Sequence, residues 1–374
     1  MRIVADPNIP FVREAFGPLG EVRLVPGREI TAGAVRDADA LLVRSVTTVN
    51  AALLDGSAVK FVATATIGTD HIDEAYLSSK GIGFASAQGS NANSVAEYVV
   101  AAMLEVAQRR KFRLRDQTLG VIGVGHVGSR VVHNAQALGM RVLQNDPPRQ
   151  RMEKGLHFVP LERLVAEADI ITLHVPLTRE GADATFHLFD KDRLALIEHR
   201  KPMLVNSSRG AAIDNKALLK AIDGERVGAV VLDVWENEPN ISPELLDVVD
   251  LGTPHIAGYS FDGKVNGTQM IYCALCYFFE IEPGWQPALP AASVPRIDLT
   301  VSSGEDDEEV LRRIVRRIYD MTADDVALRK NILTFDKLRA EYPIRREFFN
   351  TELVLRGATE ILRAKFAALG FKMG

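Results

Sequence analysis

Cysteine is nearly missing: the 374-residue chain has two. That excludes a disulfide framework and suits a reducing compartment, so a cytoplasmic setting is expected. No apolar run approaches the roughly 18–20 residues that a membrane span needs. The opening Met1-Arg2-Ile3-Val4-Ala5-Asp6-Pro7 has an acid and a proline where a signal peptide needs an apolar stretch. A basic excess is lacking too, since 44 Lys and Arg against 49 Asp and Glu leave a net charge of −5. Neither nucleic acid nor a membrane is therefore expected as a partner. Internal repeats and low-complexity segments are also missing. What is present is ordinary for a globular protein, 47% hydrophobic and 25% charged residues. At about 150 residues per domain the length suits two or three domains.

Short β-rich runs alternate with helical patterns from the start. Residues 2–6, 40–45 and 60–67 read as strands, 11–19 and 71–79 as helices, and such alternation implies a parallel sheet buried on both faces. A long helix is expected over 94–111, where Val95, Val99, Ala102, Met103 and Val106 recur at helical spacing. Ser94 and Glu97 have the spacing of a capping box. Strand runs then restart at 120–124, 141–145, 170–175, 203–206 and 229–234, as in a doubly wound dinucleotide-binding domain. A helix over 265–279 would return the chain to the first lobe. Four prolines, Pro283, Pro287, Pro290 and Pro295, mark a stiff connection to a small tail. That tail reads as a strand at 297–301, a strong helix and further helical segments. Ser302 or Ser303 would cap its first helix, with Glu308–Arg312 and Glu309–Arg313 as i,i+4 pairs. The arginines at 312, 313, 316 and 317 read as a solvated helix face.

Gly123-Val124-Gly125-His126-Val127-Gly128 lies between an apolar strand and a helical pattern. Glycines there permit a tight turn and let a diphosphate approach the backbone at a helix N-terminus. The next strand ends at Asp146, 18 residues after Gly128, where a carboxylate can accept hydrogen bonds from the adenosine ribose and would repel a 2′-phosphate. NAD is thus favoured over NADP, although Arg149 and Arg151 lie nearby.

Three further segments sit at the ends of expected strands: Asn206-Ser207-Ser208-Arg209-Gly210, Asp233 to Pro239, and Thr253-Pro254-His255-Ile256-Ala257-Gly258. Oxidising a 2-hydroxy acid needs a base for the hydroxyl proton, and histidine oriented by a carboxylate is suited to that role. The substrate carboxylate needs a planar guanidinium that also polarises the developing carbonyl. His255, Glu238 and Arg209 supply these groups. Over about residues 1–285 these motifs resemble the D-isomer-specific 2-hydroxyacid dehydrogenase family.

The resemblance implies an α/β fold of two lobes, with a Rossmann NAD-binding domain (95–257) inserted in a flavodoxin-like substrate lobe (1–94 and 258–285). It implies Arg209, Glu238 and His255 as catalytic residues. Gly123, Gly125, His126, Val127, Gly128, Asp146, Val175, Ser207, Ser208, Arg209, Asp233 and Gly258 would bind the cofactor. Residues 43–50, 63–73 and 255–264, with the tail, resemble a branch whose substrate is a phosphorylated 2-hydroxy acid. That branch has a small α+β dimerisation domain at its C-terminus, here 286–374, which implies a homodimer. By the same resemblance Ser45, Thr66 and Tyr259 would contact substrate. Val175 departs from the hydroxyl residue expected there. A phosphate would also need a cation, for which Arg44 is the candidate, with Arg345 and Arg346 in the tail as further ones. No metal is expected: Cys273 and Cys276 lie in an apolar helical run, and His71 near Asp70 and Asp73 reads as helix capping. Two rival readings use the same residues, a dehydrogenase for 3-phosphoglycerate or another D-2-hydroxy acid, and a dinucleotide-sensing scaffold.

Overall fold

The computed structural model describes residues 1–153, 157–197 and 200–374. They form two compact units, one of residues 1–91 with 260–290, the other of 92–259 with 291–374. The first unit is an all-parallel five-stranded sheet: β1 (Arg2–Ala5), β2 (Glu21–Leu24), β3 (Ala40–Val43), β4 (Phe61–Thr64) and β5 (Gly83–Ser86). Their order is β2-β1-β3-β4-β5, that of flavodoxin-like sheets. Strands β3 and β4 are buried at every position, as expected for a sheet covered on both faces. One of those faces packs on the Phe261–Phe278 helix through Ile271, Tyr272, Leu275 and Cys276.

The second unit has a six-stranded parallel sheet of β6 (Thr118–Ile122), β7 (Arg141–Asn145), β8 (Ile170–Leu173), β9 (Met203–Asn206), β10 (Ala229–Leu232) and β11 (Leu251–Gly252). The order β11-β10-β9-β8-β6-β7 reverses direction between β6 and β8. Ligands bind at the carboxyl ends of strands at such a switch point.

The tail belongs to this same unit. Val310, Leu311, Ile314 and Val315, on the Asp307–Ile318 helix, share one core with Val95, Val99, Met103 and Val106 of the Ala92–Arg110 helix. Two strands that apolar periodicity did not reveal, β13 (Glu352–Arg356) and β14 (Lys372–Met373), join β12 (Arg296–Thr300) in a parallel sheet ordered β12-β13-β14. The tail is thus built of βα units rather than of separate helical and sheet parts. β14 is two residues long and is held by pairing with β13, so no alternation could announce it.

Several local expectations are corrected by long-range contacts. Ser94 does not cap the long helix; its hydroxyl donates to the Ala257 carbonyl at 2.7 Å, inside a helix that begins at Ala92. Asp306, not Ser302 or Ser303, caps the tail helix by accepting from the Glu308 amide. Glu308 turns away from Arg312 to accept from the Leu114 and Arg115 amides. Arg312 pairs with Glu309 at 2.7 Å and with buried Glu105 at 3.5 Å, and Arg313 with Glu305 at 2.8 Å. Arg312 therefore faces the long helix, not solvent.

Candidate active site

The turn after β6 has the shape that a dinucleotide requires. Gly123 has φ +82°, a left-handed conformation, and a Cβ there would lie 2.5 Å from the His174 carbonyl oxygen. At Gly128, on the first turn of the His126–Ala137 helix, a Cβ would fall 2.0 Å from the Gly123 carbonyl oxygen. Both positions are closed to any side chain. Gly125 is the reverse, with nothing within 4 Å of where its Cβ would be, so open space faces the helix N-terminus. His126 and Val127 open that helix.

Asp146, at the end of β7, accepts from the Val124 amide through Oδ2 (2.8 Å) and from the Arg149 amide through Oδ1 (3.0 Å). It thereby ties the glycine turn to the next helix and keeps lone pairs on a partly exposed carboxylate. Arg149 is turned into the protein, bonded to the Val124 carbonyl and paired with Glu153. Arg151 pairs with Asp183. Val175 follows β8, and one of its methyls lies 2.9 Å from the Cβ position of Gly123. Burial lowers the pKa of the neighbouring His174 imidazole to about 3, so that ring is neutral and bonds Thr172 at 2.9 Å.

After β9, Asn206 organises the turn. Its Oδ1 accepts from the Ser208 hydroxyl (2.9 Å) and amide (3.1 Å), and its Nδ2 donates to the Arg209 carbonyl (2.9 Å). Arg209 Nη1 donates to the Ser208 carbonyl at 2.8 Å. Ser207 Oγ is buried without a hydrogen-bond partner among the described residues. An orphaned hydroxyl costs free energy, so this atom is suited to a bound polar group. The open Gly125, the closed Gly123 and Gly128, and the unpartnered Ser207 together fit a dinucleotide.

Arg209, Glu238 and His255 line one cavity of about 440 Å³. Gly210 lets the turn approach, since a Cβ there would lie 1.9 Å from the Trp235 carbonyl oxygen. Glu238 accepts from the Trp235 amide through Oε1 (2.8 Å), and its Oε2 lies 2.7 Å from His255 Nδ1. That leaves Nε2 as the free nitrogen of a ring 33% exposed. Burial pushes Glu238 up, but His255 and the Trp235 amide outweigh it and hold the carboxylate below its ordinary pKa. His255 (φ 56°) and Asn237 (φ 62°) both have left-handed backbones, which cost non-glycine residues free energy and cluster at functional sites.

Asp233 secures this geometry from beneath. Its Oδ1 accepts from the Thr253 hydroxyl (2.7 Å) and the Ile256 amide (2.7 Å), and Oδ2 accepts from the Ala257 amide (2.9 Å). The His255 amide donates to its carbonyl at 2.7 Å. Asp233 is buried and spends three acceptor sites on the loop, keeping capacity at Oδ2 for one more donor. Gly258 follows this loop, and the Tyr259 ring packs edge-on against Tyr342 of the tail (5.9 Å), with the Arg339 guanidinium 5.7 Å from it.

In the first unit, Arg44 Nη1 donates to the Asn8 carbonyl at 3.3 Å, and Ser45 beside it is exposed. Thr66 Oγ1 lies 2.6 Å from Thr64 Oγ1 and donates to the Gly68 carbonyl. His71 Nε2 bonds Thr64 at 3.0 Å, and Asp73 caps a helix through the Tyr76 amide. Arg345, offered from sequence as a cation for substrate, is instead buried in an ion pair with Glu97 at 2.9 Å. Arg346, also buried, donates to Asn350.

The sequence reading missed the rest of the cavity lining, notably Arg179, Phe186, Trp235 and Glu236. Arg179 could have been found, since it lies four residues past Val175 at the end of β8. His187, Asp214 and Glu236 also converge: ligand-type atoms of the three lie within 4.8 Å of one another. Two of these groups already serve the fold. Asp214 caps the Asn215–Asp223 helix, and Glu236 accepts from the Asn215 amide and bonds His187 at 2.7 Å. Cys273 and Cys276 are free thiols on the Phe261–Phe278 helix.

Comparison with known proteins agrees with this geometry. Residues 90–257 match the NAD-binding domain of D-isomer-specific 2-hydroxyacid dehydrogenases, and residues 288–370 match a domain of unknown function, DUF3410. The erythronate-4-phosphate dehydrogenase of Klebsiella pneumoniae (strain 342) is 48% identical over 356 residues, covering 93% of this chain and 92% of that protein. The enzyme of the same name from Salinibacter ruber is 48% identical over 373 residues, with the same shares covered. Among solved structures, a D-lactate dehydrogenase from Aquifex aeolicus, complexed with NAD and lactic acid, is similar at TM-score 0.63 and 27% identity. The match covers 75% of this chain and 96% of that one. An NAD⁺-bound 3-phosphoglycerate dehydrogenase from Entamoeba histolytica is similar at TM-score 0.64 and 26% identity, covering 75% and 95%. With a glycine turn shaped for a dinucleotide and Arg209, Glu238 and His255 around one cavity, the chain belongs to the D-isomer-specific 2-hydroxyacid dehydrogenase family and is an NAD-dependent dehydrogenase.

Proposed function

We propose that the protein oxidises 4-phospho-D-erythronate at C2 to 2-oxo-3-hydroxy-4-phosphobutanoate, a step of pyridoxal 5′-phosphate biosynthesis. The observation that carries this reading is the 48% identity, across 93% of the chain, to erythronate-4-phosphate dehydrogenases. The Arg209–Glu238–His255 cavity is its chemical support.

Bound NAD supplies the hydride acceptor for C2. His255 Nε2 takes the C2 hydroxyl proton, while Nδ1 stays on Glu238, which orients the ring and stabilises its charged form. Glu238 is suited to this because its carboxylate is held ionised. Arg209, steadied by the Ser208 carbonyl, grips the substrate carboxylate and polarises the oxygen at C2. Ser207, Ser208, Asp233, Val175 and Gly258 border the nicotinamide side, and Asp146 the adenosine ribose. Arg44, Ser45, Thr66 and Tyr259 contact substrate in the same reading.

Division of labour follows 1–94 with 258–285 for substrate, 95–257 for NAD and 286–374 for dimerisation. A homodimer is supported by exposed apolar side chains in the tail, Leu333, Ile344 and Ile361. A cytoplasmic location is supported by two unpaired thiols and agrees with the described helices, none of which is long and apolar enough to cross a membrane.

The test is NADH formation by purified protein with 4-phosphoerythronate and 3-phosphoglycerate side by side, with a carbonyl trap to pull the equilibrium. Strong preference for phosphoerythronate is expected. Preference for phosphoglycerate would replace the substrate and keep the chemistry. Turnover of neither, despite NADH binding, would favour a dinucleotide-sensing scaffold.

A further inference from the structure

The cavity around Arg209 and His255 contains a second guanidinium, Arg179, which the proton and hydride chemistry leaves unused. Its Cζ lies 4.2 Å from the centroid of the Phe186 ring. Phe186 in turn stacks on His187, with centroids 4.0 Å apart and planes 17° apart. His187 is anchored twice, by Glu236 at 2.7 Å and through its amide to the Ala211 carbonyl at 2.7 Å. A continuous stack thus holds Arg179 over the cavity.

No hydrogen bond or ion pair engages the Arg179 guanidinium among the described residues. The two carboxylates of the same cavity are already committed, Glu238 to His255 and Glu236 to His187, each at 2.7 Å. A guanidinium lying on an aromatic face keeps its N–H edge for a planar, two-point grip on an oxyanion. The cavity lining includes none of residues 123–128, where the diphosphate of a dinucleotide belongs. An oxyanion gripped here is therefore on the reacting side, with His255. The substrate proposed above has two anionic ends; Arg209 serves the carboxylate, and Arg179 is the other guanidinium that lines this cavity, whereas Arg44, the phosphate candidate read from sequence, does not line it.

We propose that Arg179 is a specificity-determining residue that binds the phosphate of the substrate, in the cavity where Arg209 takes its carboxylate. This deepens the functional reading above and rests on it. Phosphate chemistry has two sources here, the substrate's monoester and the cofactor's diphosphate, and the experiment separates them.

Arg179→Gln and Arg179→Lys are compared with the unaltered enzyme on 4-phosphoerythronate and on phosphate-free erythronate, with NADH affinity read by protein fluorescence. Arg179→Gln is expected to lose roughly 10- to 100-fold in kcat/KM on the phosphorylated substrate, mostly through KM. Its rate on erythronate and its NADH affinity should not change, and Arg179→Lys should recover part of the loss. Equal losses on both substrates, or no loss, would overturn the proposal. Weakened NADH binding would assign Arg179 to the cofactor instead and overturn it as well. Inorganic phosphate, titrated by calorimetry with NADH present, reads the same contact without turnover. Equal phosphate affinity in the unaltered enzyme and Arg179→Gln would refute the contact even if phosphoerythronate proved not to be the substrate.

Discussion

Arg345→Met should be among the most destabilising single changes in the chain. The Arg345 guanidinium is 5% exposed and its partner Glu97 1%. Arg345 bonds Glu97 Oε2 at 2.9 Å and Ser94 Oγ at 2.5 Å, and stacks 4.1 Å from the Tyr319 ring centroid. Glu97 Oε1 also accepts from the Phe348 amide (2.7 Å) and Asn93 (3.1 Å). Burial opposes the charge on Arg345, but Tyr319 and Glu97 hold its pKa above the ordinary value. Burial and the nearby Glu347 hold the Glu97 pKa well above its ordinary value even with Arg345 as the main counterweight. Methionine fills similar volume but breaks the buried pair by removing one partner, which costs about 3–5 kcal/mol. For a protein of 374 residues that is a fall of roughly 4–6 °C in Tm. Glu97→Gln with Arg345→Met keeps an Oε1 acceptor for Phe348 and Asn93 and removes both members of the pair, leaving buried Glu347 without the attraction of Arg345, so its cost should be smaller than that of the single variant. Urea unfolding followed by circular dichroism measures all three proteins. A loss under ~1 kcal/mol for Arg345→Met, or a double variant weaker than the single one, would refute the reasoning.

Three further outcomes are expected. His255→Ala should lower kcat by roughly 10²- to 10⁴-fold while leaving NADH affinity within about twofold, since the ring acts on the proton rather than on the cofactor; single-turnover kinetics and fluorescence titration check both. Asp324, with its pKa raised by burial to about 7 and bonded to the Tyr342 hydroxyl at 3.0 Å, holds a proton in the folded state that the unfolded chain releases near pH 4. Its stabilising contribution is therefore full below pH 4 and lost as pH rises to about 7. Asp324→Asn should flatten the pH 5–8 stability slope measured by urea unfolding, and an unchanged slope would exclude this carboxyl. Asp146→Ala should reduce the preference for NAD over NADP and cost about 1 kcal/mol of stability through the lost helix cap; unchanged discrimination in steady-state kinetics would sink the ribose assignment.

Much of this protein was legible because its chemistry sits in short contiguous segments at strand ends. Gly123 and Gly128 announce a turn that side chains would fill. Arg209 and Glu238 follow β9 and β10, whose apolar runs mark them as central, and His255 follows the two-residue edge strand β11. A parallel sheet turns such strand ends toward one edge, so order along the chain translates into proximity at the site. The β-strands themselves were readable wherever both faces are buried, as in β3, β4, β8, β9 and β10.

Tertiary structure alone decided what depends on partners far along the chain. Ser94 looks like a helix cap until Ala257 and Arg345, 163 and 251 residues away, claim its hydroxyl. Glu308 looks like a partner for Arg312 until two amides at 114 and 115 take it. Arg345 reads as a free cation, yet burial beside Glu97 makes it part of the core. Arg179 follows the end of β8 in sequence, but its place over the cavity rests on a stack of Phe186 and His187 closed by Glu236. A side chain takes the partner whose bond desolvation makes strongest, and burial is a property of the packed molecule that no local spacing encodes.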